Sequence, residues 1–296
     1  MDKRLIILYF ILISFIAGAQ VPVEKPGFGV SLISPKYFGP YAFPVPELLE
    51  GRICNDLHIE VAGDAVSGNA AGKEYEDMTY AATFKASVPL WTDRATLSIW
   101  GEMHEWYSDT PQVRDIRRVG NQYPLKGDDA GNLYFSIDML VLKETTKRPS
   151  IALRAATQSA TGDKYEVARH YDAPGYFFDI STGKNFGNGT TGIFRISASA
   201  GFLCWQIDWG CQNDALMMGA KMSYSLPFLS ISAEYGQYTG LETRKSADAG
   251  DSPKTVRAGV QGHFGKVSPF VNWQKGLNDW PFSMVRAGIS VDLDIL

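Results

Sequence analysis

The feature that most restricts the fold of this chain is the period of its apolar residues. From 284 to 296, Val285, Ala287, Ile289, Val291, Leu293 and Ile295 alternate with Arg286, Gly288, Ser290, Asp292 and Asp294. A side-chain period of two belongs to an extended strand with one oily and one wet face. The pattern recurs. Met78, Tyr80, Ala82, Phe84, Ala86, Val88 and Leu90 face away from Thr79, Thr83, Lys85 and Ser87. Phe194, Ile196, Ala198, Ala200 and Phe202 face away from Arg195, Ser197, Ser199 and Gly201, and Val256, Ala258, Val260 and Phe264 from Arg257, Gln261 and His263. Twelve strands are expected, near 56–66, 77–90, 95–107, 131–143, 150–160, 176–186, 193–206, 215–226, 229–239, 254–265, 267–275 and 283–296. Helical heptads are absent.

The N-terminus reads as a secretory leader: Lys3 and Arg4, an apolar run from Leu5 to Ile16 broken by Ser14, then Ala17-Gly18-Ala19. Cleavage is expected after Ala19, leaving Gln20 first. The run is shorter than the roughly 20 residues a spanning helix needs, and no other segment approaches one. If such a chain lies in a membrane it must be a closed barrel, since only helices and barrels satisfy every backbone polar group in lipid. The connections carry a second signal. Long ones are expected near 67–76, 108–130, 161–175, 207–214, 240–253 and 276–282, and short ones at Trp91–Arg94, Glu144–Pro149, Gly187–Gly192, Pro227–Phe228 and Lys266. Long and short alternate, as outer loops and periplasmic turns do in membrane barrels. The net charge of −4 is well mixed, so no basic stripe points to nucleic acid.

The expected fold class is therefore all-β: an antiparallel up-and-down transmembrane β-barrel of twelve strands spanning 56–296, behind a signal peptide (1–19) and a distinct segment (20–55). Leader, alternating strands, loop asymmetry and the terminal amphipathic strand together resemble bacterial outer-membrane β-barrel proteins over nearly the whole mature chain. The resemblance is architectural and carries no catalytic residue. It implies residence in the bacterial outer membrane, with membrane lipid and the barrel assembly machinery as partners. In that class the last strand commonly ends in an aromatic residue read during assembly; here the chain ends in Leu296.

Aromatics near strand ends, Trp91, Trp106, Tyr107, Tyr176, Trp205, Trp209, Tyr235, Trp273 and Trp280, are expected to form girdles at the headgroup level. Segment 20–53 holds Pro22, Pro26, Pro35, Pro40, Pro44 and Pro46 among Phe28, Tyr37, Phe38, Tyr41 and Phe43. Proline at this density excludes a central strand. The segment reads first as an ordered periplasmic arm packed under the barrel, next as a partial plug inserted through its aromatics, and last as a disordered tail, since so many aromatics are unusual for disorder.

Charges on alternating strands cannot face lipid cheaply, at about 2–4 kcal/mol for Arg or Lys at the midplane. The candidates for the lumen are His58, Glu60, Asp64, Lys85, Glu102, His104, Asp138, Arg154, Asp179, Arg195, Lys221, Glu234, Arg257, His263, Arg286 and Asp292. They either pair across a closed lumen or line a path for small hydrophilic solutes. This register expects Ala258→Arg to impair folding into bilayers and Arg257→Leu to be tolerated. The third long loop, with Lys164, Glu166, Arg169, His170 and Asp172, reads first as a solvated charged loop; of the loops it is also the best candidate to fold inward as a constriction or to meet a ligand, through Arg169, His170 and Asp172. A nucleophilic serine needs a histidine within hydrogen-bond reach. No histidine here is followed by serine two residues on, so a lipid hydrolase is disfavoured. Glu102, His104 and Glu105 lack a visible third metal-ligand segment, and Asp128-Asp129-Ala130-Gly131-Asn132 reads as a turn rather than a Ca²⁺ loop. No metal and no cofactor are expected. Cys204 and Cys211 flank a tight connection and are candidates for a disulfide in an exported protein; Cys54 is left over. Channel or transporter is the leading reading. A structural or surface-interaction barrel with a closed, salt-bridged lumen is the alternative.

Overall fold

A computed structural model describes residues 33–90, 94–162, 164–188, 192–206, 214–241 and 250–294. The signal-peptide region, Trp91, Trp209, Cys211 and the C-terminal Leu296 lie outside the described residues. The strands are β1 (Leu57–Gly68), β2 (Asp77–Leu90), β3 (Ala95–Asp109), β4 (Lys126–Asp129), β5 (Leu133–Leu142), β6 (Ser150–Gln158) and β7 (Gly175–Asn188). They continue with β8 (Gly192–Trp205), β9 (Ala215–Ser225), β10 (Leu229–Gly240), β11 (Lys254–Gly262), β12 (Val267–Asn278) and β13 (Phe282–Leu293).

Every neighbouring pair is antiparallel, and β1 closes the ring on β13 from Leu57↔Leu293 to Gly68↔Phe282. β4 and β5 both pair with β3, β4 on its upper half and β5 on its lower half. They form one interrupted stave, so the thirteen strands make a closed barrel of twelve staves. Five connections at one end are short, from 91–94 to 263–266; this is the turn end. At the other, the loop end, five of the six connections are long, including 110–125 and 159–174. The sixth is only Asp279–Pro281, because β12 runs on to Asn278 where a loop from 276 is expected. Within 110–125 a short helix α1 (Pro111–Ile116) starts where the Thr110 hydroxyl accepts from the Val113 N–H, with proline pre-set at the first turn.

Alternation is kept in three dimensions. Val61, Phe178, Ile180, Ile196, Met218, Val260 and Ile289 stand exposed on the outer wall, while Asp64, Thr83, Asp179, Arg195, Ser197 and Ser290 are buried on the inner one. One register change matters. A bulge in β3 opposite Ala82/Thr83 sets Glu102 against Thr83 but His104 against Ala82, which faces out. The extra residue, Met103, reverses the facing beyond it. His104 therefore lies on the outer wall, with Nε2 3.2 Å from Asp128 and its ring 4.7 Å from that of Trp106. Glu105 takes the inward place expected for His104.

The girdle divides in the same way. Trp106 and Trp273 are exposed on the outer face, and Tyr176 and Tyr235 also point outward. Tyr107, Trp205 and Trp280 instead turn inward and are buried in apolar clusters with residues of segment 33–48.

Candidate functional site

The lumen is occupied by the chain's own N-terminal segment. Residues 33–56 descend from the loop end to the turn end, touching staves all round the ring. At the loop end the Gly39 N–H donates to Ala168 O (2.8 Å) and Trp280 Nε1 to Pro40 O (3.2 Å). Tyr41 OH donates to Asp64 (2.7 Å) and Tyr238 OH to Phe43 O (3.3 Å). Midway, Arg257 donates to Val45 O (2.5 Å), Arg154 to Glu47 O (2.8 Å) and Arg195 to Glu50 O (2.7 Å). Near the turn end the Gly51 N–H donates to Ser181 Oγ (3.0 Å) and Thr96 Oγ1 to Cys54 O (2.9 Å).

This follows from composition. Pro35, Pro40, Pro44 and Pro46 have no N–H, so the segment presents more carbonyls than donors. A buried carbonyl without a partner is costly. The wall answers with arginine, which has five donors and no acceptor. Gly51 sits at φ 67°, and a Cβ there would lie 2.8 Å from Gly183 N; only glycine fits so close to β7 without strain.

The loop end is sealed by a buried charge cluster. Connection 159–174 folds into the mouth, and Arg169 and His170 are 0% and 1% exposed. Arg169 Nε and Nη2 donate to the two oxygens of Glu105 (2.9 and 3.2 Å), Nη1 to Asp77 (3.1 Å), and Nη2 also to Thr79 (2.7 Å). Its guanidinium lies 4.7 Å from the Tyr107 ring centroid. Arg117, from the helical connection, donates to Asp77 (2.5 Å), Asp109 (2.7 Å) and the Tyr37 carbonyl (2.6 Å). Burial alone would lower the pKa of both guanidiniums. The surrounding carboxylates more than reverse that and hold both above the ordinary arginine value. Of the three loop residues singled out in the sequence, Arg169 and His170 enter the mouth, whereas Asp172 stays exposed.

Below the seal lies a cavity of about 710 Å³, reaching from Pro40 and Trp280 down to Ser225 and His263 at the turn end. Segment residues Val45–Cys54 form one side. The other is rich in hydroxyl and amide groups, among them Ser223, Ser225, Ser232, Gln261, Asn272 and Ser290. The lumen candidates fall into pairs. Arg286 grips Asp64 bidentately (2.8 and 2.8 Å), Arg154 meets Asp179 (2.7 Å) and Arg257 meets Glu234 (2.6 Å). Arg195 meets Glu144 (2.8 Å), and Lys221 meets Glu50 (2.6 Å). His58 meets Asp292 (2.8 Å) and approaches Glu60 (3.8 Å). Lys85, Glu102, Asp138 and His263 line the cavity. Glu47, on the segment, faces the cavity. Its carboxylate stands 4.0 Å from Arg286.

Three features were missed in the sequence. Glu105 is inward only because of the bulge. Arg117 sits in a connection with no signal beyond its charge. The Ser230 hydroxyl lies 2.8 Å from His263 Nε2 across the β10–β11 hairpin, an encounter that a search along one strand does not find. Among the described residues no carboxylate lies within ion-pair distance of His263. Cys204 is on the outer face of β8, opposite Tyr176; its candidate partner Cys211 is outside the described residues.

No protein-family model matches this chain, and no curated protein matches it. Its likeness is to solved structures of bacterial outer-membrane barrels. A COG4313 outer membrane channel from Pseudomonas putida F1 superposes with a TM-score of 0.58 at 13% identity, over 84% of this chain and 99% of that one. The NanC porin superposes with a TM-score of 0.52 at 11% identity, over 79% of this chain and all of that one. At these identities the shared property is the fold.

Proposed function

We propose that this chain is an outer-membrane channel for small hydrophilic solutes, with passage controlled by its own N-terminal segment. The observation that carries the reading is the lumen itself. A twelve-stave barrel is wider than the eight-strand size that side chains alone fill, and here the excess is divided between the chain's own N-terminal segment and a cavity of about 710 Å³ lined on one side by charged, hydroxyl and amide groups. A barrel needed only as a scaffold has no use for that cavity. The two neighbours described as a channel and a porin support the same reading. In this account the turn end faces the periplasm, the leader is removed after Ala19, and assembly depends on the barrel assembly machinery. Charges of both signs on the wall give weak ion selectivity.

A second reading is favoured by one observation, the fully buried Arg169–Glu105–Asp77–Arg117 cluster at the loop end. It makes the barrel a closed scaffold whose loops do the work. Single-channel conductance of the refolded full chain in a planar bilayer separates the two. Discrete steps whose ion selectivity shifts with Lys85→Glu support the channel. Silence from a folded, heat-modifiable protein supports the closed barrel. Both readings are non-enzymatic; labelling of Ser230 by a serine-reactive probe would overturn that.

A further inference from the structure

Glu105 and Asp129 face each other directly across β3 and β4, 1% and 5% exposed. Like charges placed opposite one another on a strand pair repel, and burial removes the water that would screen them. His170 enters from connection 159–174 and sets Nε2 3.6 Å from Glu105 Oε1 and 3.8 Å from Asp129 Oδ2. One donor atom from each of the three residues lies within 4.8 Å of the others. Both separations are longer than a hydrogen bond. They correspond to edges of a coordination tetrahedron with bonds of about 2.2 and 2.3 Å, at and just above the upper end of zinc's range with nitrogen and oxygen ligands, so a bound ion draws the three groups slightly inward.

Glu105 is held from one side by Arg169, and the opposed Asp129 and the His170 imidazole meet it from the other at one buried point. Arg169 Nε occupies one lone pair of Glu105 Oε1 at 2.9 Å, and a carboxylate oxygen has a second.

Asn132, just before β5, braces the same connection: it is 0% exposed, its Oδ1 accepts from the Gly162 N–H at 2.7 Å, and a Cβ on Gly162 would lie 2.9 Å from that Oδ1 and 2.6 Å from His170 Cγ. Among the described residues its Nδ2 has no hydrogen-bond partner.

We propose that Glu105, Asp129 and His170 bind one divalent transition-metal ion of the Zn²⁺ class, with water completing the shell. One imidazole with two carboxylates suits a borderline ion better than an all-oxygen Mg²⁺ or Ca²⁺ site or a thiolate-seeking soft ion. The ion ties connection 159–174 to the β3–β4 edge. The site does not depend on whether the barrel conducts.

The test uses the full chain refolded in detergent, with and without Co²⁺, and dialysed against metal-free buffer. Refolding in the metal's presence lets a buried site fill. The wild type is expected to retain one Co²⁺ per chain with tetrahedral visible bands, exchangeable for Zn²⁺. Asp129→Asn and His170→Gln are expected to weaken retention on the order of tenfold or more, while His104→Gln on the outer wall leaves it unchanged. Heat-modifiability on gels identifies folded variants, and Asp129→Asn, being isosteric, keeps the test open if His170→Gln does not fold. Folded wild type without bands or stoichiometric metal overturns the proposal. So does equal retention by Asp129→Asn.

Discussion

Arg169→Met tests the idea that the loop-end seal is held by buried charge pairing. The side chain is 0% exposed and satisfies Glu105 through two bonds, Asp77 through Nη1 and Thr79 through Nη2. Methionine keeps much of the volume and removes the charge. Asp77 retains Arg117, but Glu105 is left with no charged partner nearer than the His170 ring at 3.6 Å. Breaking a buried pair by removing one partner costs about 3–5 kcal/mol, and losing the cation's contact with the Tyr107 face adds about 1 kcal/mol. A combined loss of about 4–6 kcal/mol is a large part of the roughly 5–15 kcal/mol that holds an ordinary domain together. Urea unfolding in phospholipid vesicles, followed by tryptophan fluorescence, measures it. Arg169→Lys keeps the charge without the two-pronged geometry and is expected to fall between wild type and Arg169→Met. A Met variant within about 1 kcal/mol of wild type would place these pairs in the range of exposed salt bridges. The mouth would then be wet, and the argument for a sealed loop end would fail.

Two further outcomes follow from the lumen. Ala258→Arg sets a charge against lipid and is expected to cost about 2–4 kcal/mol of folding free energy near the midplane, measured by the same unfolding assay; indifference would reverse the facing of β11. Arg257→Leu, harmless by facing alone, is expected to cost about 1–3 kcal/mol, because Glu234, Gln274 and the Val45 carbonyl all lose their donor.

The wall of the barrel was legible because each stave faces lipid outside and polar groups inside. The alternation of β2 or β8 therefore gives facing residue by residue. That reading stops where a stave breaks its own period. Nothing local distinguishes Met103 as the extra residue, yet it sends His104 outward and Glu105 inward. Aromatics at strand ends suit a headgroup layer or a plugged mouth equally well. Trp205 and Trp280 serve the mouth because segment 33–48 gives them a surface to pack on. The proline density of that segment ruled out strand pairing, and the arginines of the inner wall were visible as a set. Which carbonyl meets which arginine is decided only when the ring closes. The same holds for Glu105, Asp129 and His170, which three separate segments bring together.

The most direct test of the account is a tether between segment and wall. A Cβ on Gly236 would lie 3.1 Å from Val45 Cγ1, within reach of a disulfide, whose Cβ atoms sit about 3.5–4.5 Å apart. Val45→Cys with Gly236→Cys, in a chain whose three native cysteines are replaced by serine, can be locked or released in the bilayer chamber by oxidant and reductant. Conductance is expected to be silent when oxidised and to appear in discrete steps on reduction. Equal conductance in both states would mean that the segment does not control passage.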